Sequence, residues 1–476
     1  MPATPTPGQI KVHQMKQRAA PLLESGQFQM AVSMLEIALP HDRRDPILHK
    51  MLGLGYANLQ RTDKARRHLR RAMELGVRDA DTVLGLAGVL RELGDLKGAV
   101  RVVDDVLALD PKQPKALRFK AWALRSLDKS DAALALLDGA IADGVWSPEI
   151  SVMRSELLRQ FRRFAESVEE SNRLLDQPGL PSEMRRDGLH TLGLTYDAMG
   201  EYDLAFDAIA RANAMLDDKE VLPIESFRKA WPKEVIDEIP ESGETSRKPV
   251  FVIGMPRSGT TLTERILAAH PRVASVGESN AMTTLMRDRV AVDMTADAVR
   301  RVAEGYLDRM GMAKFDKVSR VVDKMPENYF FVPAILKALP GASIIHCTRD
   351  ARDTCLSYFF QNFGGLQPWS RRITTAAKRY VQYRQLMEYW DEVLGPDILE
   401  DNYEQLTSDP RPNVEAMLSH VGVPFDEHCL AHHKQTAGVQ TASVDQVRKP
   451  IYTSSRKRWK RYQKHLGPML EILEGY

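Results

Sequence analysis

The first part of the chain repeats one pattern of apolar and small residues. The recurring positions are Leu52, Gly53, Tyr56, Ala65 and Ala72, which correspond 34 residues later to Leu86, Ala87, Leu90, Ala99 and Val106. Apolar residues three or four positions apart lie on one face of a helix. Small residues at fixed places let two helices approach closely, and larger apolar residues fill the space between them. The pattern therefore predicts a series of helix–turn–helix units between residues 12 and 219.

We count six such units, which begin near residues 12, 46, 80, 114, 148 and 186. The fourth and fifth are weak, because Lys120, Arg154 and Ser155 stand where Leu or Gly is expected. The array resembles tetratricopeptide repeats, which have this period. The resemblance implies an α-superhelix whose concave groove binds a protein or peptide. The alternative is a plain α-helical domain without a fixed period.

The hydrophobic pattern changes after residue 219. Pro223, Pro232 and Pro240 interrupt any helical period, so residues 220–247 are predicted to be a linker. The remaining residues, 248–476, are numerous enough for a complete α/β domain. In two places within them, an apolar strand leads directly into a helix.

The first of these strands comprises residues 250–253, and a tight loop follows it. Four residues separate Gly254 from Gly259, the spacing of a loop whose backbone N–H groups surround a phosphate. A nucleoside triphosphatase has lysine after the second glycine, but this chain has Thr260 there. Because Arg257 lies inside the loop, the loop suits a 5′-phosphate that bears a different group. The candidate is 3′-phosphoadenosine 5′-phosphosulfate (PAPS).

Two motifs resemble those of PAPS-dependent sulfotransferases. Residues 256–262, Pro-Arg-Ser-Gly-Thr-Thr-Leu, resemble the 5′-phosphosulfate loop of that family. Residues 344–357 resemble its 3′-phosphate motif, in which a strand ends at Arg349 and a helix contains Ser357. Arginine suits a terminal phosphate because its guanidinium donates two parallel hydrogen bonds. Two ordinary strand–helix turns with a surface arginine are the alternative, but the shared order and spacing favour the sulfotransferase interpretation.

The resemblance implies a P-loop-like α/β fold with a central parallel sheet and transfer of a sulfuryl group from PAPS to an acceptor hydroxyl. It implies that the nucleotide is bound by Arg257, Ser258, Gly259, Thr260, Thr261, Arg349, Ser357, Tyr403 and Arg458. Tyr403 begins a Tyr-Glu-Gln-Leu element, and Arg458 precedes a family tryptophan at Trp459.

Further segments resemble tyrosylprotein sulfotransferases and imply the catalytic residues. Glu278, in a Gly-Glu element, matches the family base, which the reaction needs because the acceptor hydroxyl loses a proton. Lys324 and Ser443 match residues that, with Arg257, face the transferring sulfate. A surface glutamate and an edge lysine are the alternatives for Glu278 and Lys324. A tyrosine in a peptide or protein is the leading acceptor, and a sugar or small alcohol remains open.

Histidine is the alternative base, because sulfotransferases of small molecules use it. His270 precedes a proline at a predicted helix end, and His346 lies within the strand before Arg349, so structural roles are the simpler interpretation. His432 and His433 have no carboxylate or cysteine at ligand spacing, so no metal site is predicted.

Composition limits the partners and the compartment. The formal net charge of +2 gives no support to nucleic-acid binding. Three cysteines, none in a CxxC pair, form no disulfide framework and predict reduced thiols in the cytoplasm. The sequence contains no run of 18 apolar residues and begins without a signal-peptide pattern, so neither a membrane span nor secretion is predicted.

Two rival functions remain for the second half of the chain. A P-loop kinase is one, and Thr260 in place of lysine argues against it. A repeat scaffold with an inactive second half is the other. The presence of Arg257, Glu278, Lys324 and Ser443 argues against that loss of activity.

Overall fold

A computed structural model describes the chain except residues 1–5, 288, 364–366, 396–397, 435–450 and 452–454. The described residues form two compact units, Met1–Gly200 and Glu201–Tyr476. Each unit contains its own clusters of buried apolar side chains. No helix among the described residues is long and apolar enough to cross a bilayer.

The first unit consists of helices joined by short turns, and each helix packs on the next along the chain. The helices are α1 Pro7–Glu24, α2 Phe28–Ala38, α3 Pro46–Asn58, α4 Thr62–Glu74, α5 Ala80–Glu92, α6 Leu96–Leu109, α7 Pro114–Ser126, α8 Ser130–Ala142, α9 Pro148–Gln160, α10 Phe164–Leu175 and α11 Ser182–Met199. A 3₁₀ turn, Leu39–His41, follows α2.

Helices α3, α5, α7 and α9 begin at residues 46, 80, 114 and 148, the predicted starts of four units. Three of them begin with proline, which suits the first helical position because the amide there has no intrahelical partner. The first unit begins earlier than predicted, at Pro7, where Thr6 and Gln9 form a capping box. The last begins at Ser182 and not near residue 186.

Polar side chains in the weak fifth unit are paired with one another. Arg154 contacts Asp138 and Glu170, at 2.7 Å in each case. Glu170 also accepts hydrogen bonds from Ser151 Oγ at 2.6 Å and from Trp146 Nε1 at 3.2 Å. These five residues form the Glu170 cluster. A polar network therefore occupies the place where the repeat pattern predicts an apolar contact.

The second unit alternates helices and strands around one sheet. Its helices are α12 Tyr202–Asn213, α13 Ile224–Ala230, α14 Lys233–Glu238, α15 Thr260–Ala268, α16 Ala281–Leu285, α17 Ala296–Arg309, α18 Val332–Ala338, α19 Ala351–Phe359, α20 Ile373–Leu394, α21 Tyr403–Ser408, α22 Pro410–His420 and α23 Gly467–Ile472. Its strands are β1 Pro249–Gly254, β2 Val273–Gly277, β3 Arg320–Asp323, β4 Ser343–Thr348 and β5 Ile398–Asn402. The 3₁₀ segments are Ala291–Asp293, Met312–Lys314, Pro326–Phe331, Pro368–Ser370, Glu427–Lys434 and Arg458–His465.

The five strands are parallel and lie in the order β2-β3-β1-β4-β5. The central strand β1 is buried along its whole length, which explains its continuous apolar sequence. The predicted fold class, helical repeats followed by an α/β domain with a central parallel sheet, is confirmed.

Residues 220–247, the predicted linker, contain the short helices α13 and α14. Ile224, Trp231 and Ile236 in this segment are buried. Tyr389 Oη of α20 donates a hydrogen bond to the Trp231 carbonyl at 2.8 Å. The segment therefore packs within the second unit.

Candidate active site

Residues that the sequence singled out follow each of the five strands. The loop at residues 255–259 follows β1, Glu278 follows β2, and Lys324 follows β3. Arg349 follows β4, and Tyr403 follows β5. Parallel sheets of this kind bind ligands beyond the carboxyl ends of the strands, where the strand order reverses. The sheet topology thus brings residues from distant parts of the sequence to one edge.

The loop after β1 has a backbone that only glycine adopts easily at two positions. Gly254 has φ 148° and Gly259 has φ 112°. A Cβ on Gly254 would lie 2.5 Å from the Cys347 carbonyl oxygen, and one on Gly259 would lie 2.8 Å from the Tyr403 ring. Arg257 also has a positive φ, 78°, although it is not glycine. The loop is held tightly against β4 and α21 and leads directly into the first turn of α15.

The hydroxyl-bearing residues of this loop are buried. Ser258 is 1% exposed, and Thr260 and Thr261 are also buried. The Ser258 hydroxyl has no hydrogen-bond partner within the part of the chain that the structure describes. Because buried hydroxyls are normally paired, this group fits a ligand oxygen. The start of α15 adds backbone N–H groups and the positive end of the helix dipole.

The two predicted nucleotide motifs contact each other directly. Arg257 Nε donates a hydrogen bond to Ser357 Oγ at 3.0 Å. Arg349 Nη1 donates to the Arg257 carbonyl oxygen at 3.2 Å. Asp350 caps α19, the helix that contains Ser357, by accepting hydrogen bonds from two of its first amides. Residues about a hundred positions apart in sequence are therefore adjacent in the fold.

Tyr403 and Ser455 complete the surroundings of Arg349. The Arg349 guanidinium lies 4.7 Å from the centre of the Tyr403 ring. Its Nη2 donates to the Ser455 carbonyl oxygen at 2.8 Å, and the Tyr403 and Ser455 hydroxyls are 2.7 Å apart. Sequence reasoning missed Ser455, which belongs to no motif; its place before the basic segment at 456–458 was the only available signal.

Two other predicted residues are not placed in this group. The Arg458 guanidinium stacks on the rings of Phe360 and Tyr462, at 4.7 and 5.7 Å. Its role as a nucleotide contact stays a prediction. Ser443 lies outside the described residues, so its role as a sulfate contact also stays a prediction.

A buried lysine lies between two carboxylates at the ends of β2 and β3. Lys324 is fully buried, and its Nζ donates a hydrogen bond to Glu278 Oε1. The same Nζ lies 3.7 Å from Glu264 Oε2 on α15. Ser275 Oγ donates to Glu264 Oε1 at 2.5 Å. We call Lys324, Glu278, Glu264 and Ser275 the Lys324 cluster.

Sequence reasoning missed Glu264. The sequence carries no local signal for it, because a charged residue near the start of a helix is common; the structure shows that residues 260–267 of α15 are all buried. Burial raises the pKa of Glu264, and the nearby Lys324 ammonium opposes that effect. A carboxylate in such a place needs a cation, but the sequence does not show which one.

Asp323, the last residue of β3, directly precedes Lys324 and is fully buried. Burial raises the pKa of this carboxyl group to about 7, against the opposing effect of hydrogen bonds from Tyr306 and the Ser279 amide. Tyr306 Oη donates to Asp323 Oδ2 at 3.1 Å. The bond from Ser279 ties the loop that contains Glu278 to the end of β3.

The histidines considered as alternative bases have structural contacts. His346 is buried with its Nε2 against the Tyr383 hydroxyl, and burial lowers its pKa to about 3. His270 Nε2 lies 3.0 Å from the Pro424 carbonyl oxygen, and its Nδ1 accepts a hydrogen bond from the Arg272 amide. Among the described residues, no group of three or more His, Cys, Asp or Glu is arranged to hold a metal ion.

Comparison with known proteins agrees with this geometry. Residues 249–427 match the model of the sulfotransferase family. These residues lie within the second unit and include all five strands of its sheet. Residues 59–123 match the tetratricopeptide repeat, so the first unit contains repeats of that family.

The relatives include proteins with and without an assigned activity. An uncharacterized protein of Aquifex aeolicus (strain VF5) is 29% identical over 354 residues, covering 68% of this chain and 46% of the relative. Protein-tyrosine sulfotransferase A of Caenorhabditis elegans is 24% identical over 240 residues, covering 44% of this chain and 60% of the relative. The chain thus spans about half the length of the curated relatives it matches.

Among solved structures, the sulfotransferase domain from the Synechococcus PCC 7002 olefin synthase is 16% identical. It covers 49% of this chain and 97% of that domain, with a TM-score of 0.36.

Proposed function

We propose that the protein transfers a sulfuryl group from PAPS to an acceptor hydroxyl. The proposal rests on one observation, the contact between the two predicted nucleotide motifs. Arg257 reaches Ser357, and Arg349 reaches the Arg257 carbonyl. A nucleotide with phosphates at both the 5′ and the 3′ position requires these two anion-binding elements at one site.

PAPS supplies an activated sulfuryl group attached to its 5′-phosphate. The loop at 257–261 and the first amides of α15 would hold that phosphate. Arg349 and Ser357 would hold the 3′-phosphate, and Tyr403 would line the nucleotide pocket. The buried Ser258 hydroxyl, which has no hydrogen-bond partner among the described residues, and the absence of space for a Cβ on Gly259 fit a loop that closes around a phosphate group.

Glu278 is the proposed base and accepts the proton of the acceptor hydroxyl. The acceptor oxygen forms its bond to sulfur while the bond from sulfur to the bridging phosphate oxygen breaks. The electron pair of that bond leaves on the bridging oxygen. Lys324, Arg257 and Ser443 stabilise the negative charge that develops there. The leaving product is adenosine 3′,5′-bisphosphate.

The proposed acceptor is a tyrosine in a peptide or protein. Several relatives are named protein-tyrosine sulfotransferases, and helical repeats of the kind in the first unit suit a peptide-binding groove. We also propose a cytoplasmic location, since all three cysteines are free and buried.

The function is tested with the purified full chain and ³⁵S-labelled PAPS, first with a cell lysate and then with fractionated acceptors. We expect label on a tyrosine-containing fraction, and Glu278→Gln should reduce the rate on the order of a hundredfold. Label on a sugar or small alcohol would correct the acceptor alone.

Nucleotide binding is tested by calorimetry with adenosine 3′,5′-bisphosphate. Arg349→Met should weaken binding about tenfold or more, because it removes charge-assisted hydrogen bonds. Arg300→Met, which changes an exposed arginine on α17, is the matched control. Tight binding of Mg·ATP together with no binding of the bisphosphate would contradict the proposal and favour a kinase.

A further inference from the structure

The Lys324 cluster holds two carboxylates for one ammonium group, and the two differ in exposure. The side chain of Glu278 is 44% exposed, whereas those of Lys324 and Glu264 are buried. Glu264 is further fixed by the hydrogen bond from Ser275. The base proposed above therefore lies at the open side of the lysine, and a second anion lies at its closed side.

The role of the second anion follows from the proton transfer. When Glu278 accepts a proton it becomes neutral and no longer forms an ion pair with Lys324. A fully buried ammonium without an anion is strongly unfavourable, so this step would be opposed if Glu278 were the only partner. Glu264 takes no part in that transfer, and its Oε2 lies 3.7 Å from the Lys324 Nζ, so its carboxylate can remain the partner of the ammonium.

We propose that Glu264 is a positioning residue, whose carboxylate keeps the Lys324 ammonium in place while Glu278 gains and loses the acceptor proton. The inference rests on the proposed sulfotransferase function and adds a residue that the family resemblance did not supply. Glu264 touches neither the loop phosphate position nor the acceptor in this account. It acts through Lys324.

The charges around the cluster are consistent with this role. Burial raises the pKa of Glu264, the Lys324 ammonium and the Ser275 hydrogen bond lower it, and the Glu278 charge raises it. Arg265, the next residue on α15, acts on the same carboxyl group. Asp323 on β3 and Cys347 on β4 are the other titratable groups on which the Lys324 charge acts.

The first test is the pH dependence of sulfuryl transfer by Glu264→Gln. With the Glu264 charge removed, Lys324 acts on Glu278 alone and favours its ionised form. The acidic limb of the pH–rate profile should move to lower pH by about one unit. A carboxylate that is more easily ionised is a weaker base, so a shift of about one unit should lower kcat by about threefold to tenfold, with little change in KM for PAPS.

Two variants accompany this test. Glu264→Asp keeps the charge on a shorter side chain and should restore the limb position and part of kcat. Glu304→Gln, which neutralises an exposed glutamate on α17, is the control and should leave both unchanged. If Glu264→Gln does not fold, Glu264→Asp still tests the role: the limb should stay at its wild-type position while kcat falls, and a limb that moves although the charge is retained overturns it.

The second test does not depend on catalysis. Carboxyl resonances of ¹³C-labelled glutamate are followed with pH in the full chain, and Glu264→Asp or Glu264→Gln identifies the Glu264 signal. Glu278→Gln should move its titration to lower pH, and Lys324→Met should move it to higher pH. Titration unchanged in both variants overturns the coupling on which the role depends.

The failure of this inference can be told apart from the failure of the proposed function. A wild-type chain that binds no adenosine 3′,5′-bisphosphate and transfers no label contradicts the function. Normal binding and transfer by the wild type, with an unmoved pH limb in Glu264→Gln, overturns the positioning role and leaves the proposed function standing.

Discussion

The two units each contain a buried glutamate paired with a cation, and the surroundings of the two glutamates differ. Glu170 in the first unit and Glu264 in the second unit are 4% and 7% exposed. Glu170 receives hydrogen bonds from Arg154, Ser151 and Trp146. It shares Arg154 with Asp138, which also lies 3.8 Å from Arg163. Glu264 shares Lys324 with a second carboxylate, Glu278, whose side chain is 44% exposed.

The difference shows that burial of a charged side chain does not by itself indicate function. In the Glu170 cluster the two carboxylates face two cations, because Asp138 contacts Arg163 as well as Arg154. In the Lys324 cluster there is one carboxylate more than the lysine requires to be neutral. That excess carboxylate is exposed, so it can exchange a proton while the buried pair stays intact. Function is indicated where a buried ion pair extends to an exposed carboxylate that the cation of the pair does not neutralise.

The largest expected effect on kcat comes from removing the cation of the Lys324 cluster. Lys324→Met should lower kcat about a hundredfold to a thousandfold, because it removes a positive charge next to the developing negative charge. The measurement is label transfer from PAPS at saturating donor and acceptor. Lys233→Met, at an exposed lysine on α14, is the matched control. Unchanged turnover in a folded Lys324→Met protein would mean that the cluster is as structural as its counterpart in the repeats.

Removing the cation of the Glu170 cluster should lower stability and leave catalysis intact. Arg154→Met leaves Glu170 buried without its cation, so we expect the free energy of unfolding to fall by roughly 3 kcal/mol. Urea unfolding of the first unit measures it, with Arg66→Met on α4 as the exposed control. A loss of PAPS turnover without loss of stability would contradict the contrast between the clusters.

Asp323, which directly precedes Lys324, makes the stability of the fold depend on pH. Its pKa is about 7 in the folded protein and about 4 in an unfolded chain. Between these values the folded state binds a proton that the unfolded state has released, so this contribution to stability is present at low pH and is lost as the pH rises to 7.

Asp323→Asn removes that proton uptake. From pH 5 to pH 7 the free energy of unfolding should therefore fall less in the variant than in the wild type. Urea unfolding at pH 5, 6 and 7 measures the difference, with the exposed Asp297→Asn as control. Parallel pH curves for Asp323→Asn and the wild type would show that this carboxyl group does not titrate there.

The smallest effects come from removing single hydrogen bonds. Here the two clusters should lose similar stability but differ in their effect on kcat. Ser151→Ala and Ser275→Ala each remove one hydroxyl that donates to a buried glutamate. Each should cost about 1 kcal/mol of stability. Only Ser275→Ala should also lower kcat, because it loosens the side chain that holds Lys324. Equal kcat values for the two variants would remove this distinction.

The sequence predicted those features that neighbouring residues determine, such as helix starts and tight turns. Proline and a polar cap give the starts of α3 and α7, and the loop glycines give the turn after β1, because short segments determine both. The resemblance implied a role for Glu278 and one for Lys324, but their contact was not predicted, because it forms between residues 46 positions apart through the pairing of β2 with β3.

Residues whose partners are distant could not be found in this way. Arg154 looked like an imperfection of the repeat, because its partners Asp138 and Glu170 lie on neighbouring helices. Glu264 looked like an ordinary polar position on α15, because the lysine that pairs with it lies 60 residues away on another strand end. Periodicity identifies which face is buried, but it does not identify the ion pairs within that face.

Arg257 bears on how the protein balances durability against activity. A non-glycine residue with φ 78° lies in a region that costs about 1 kcal/mol or more relative to glycine. Selection for a sturdier fold alone would favour replacing it with glycine or asparagine. Under the proposed function, arginine at this position binds the nucleotide, so stability and activity favour different residues at position 257. Variants selected for stability from a library that varies this position should therefore be inactive.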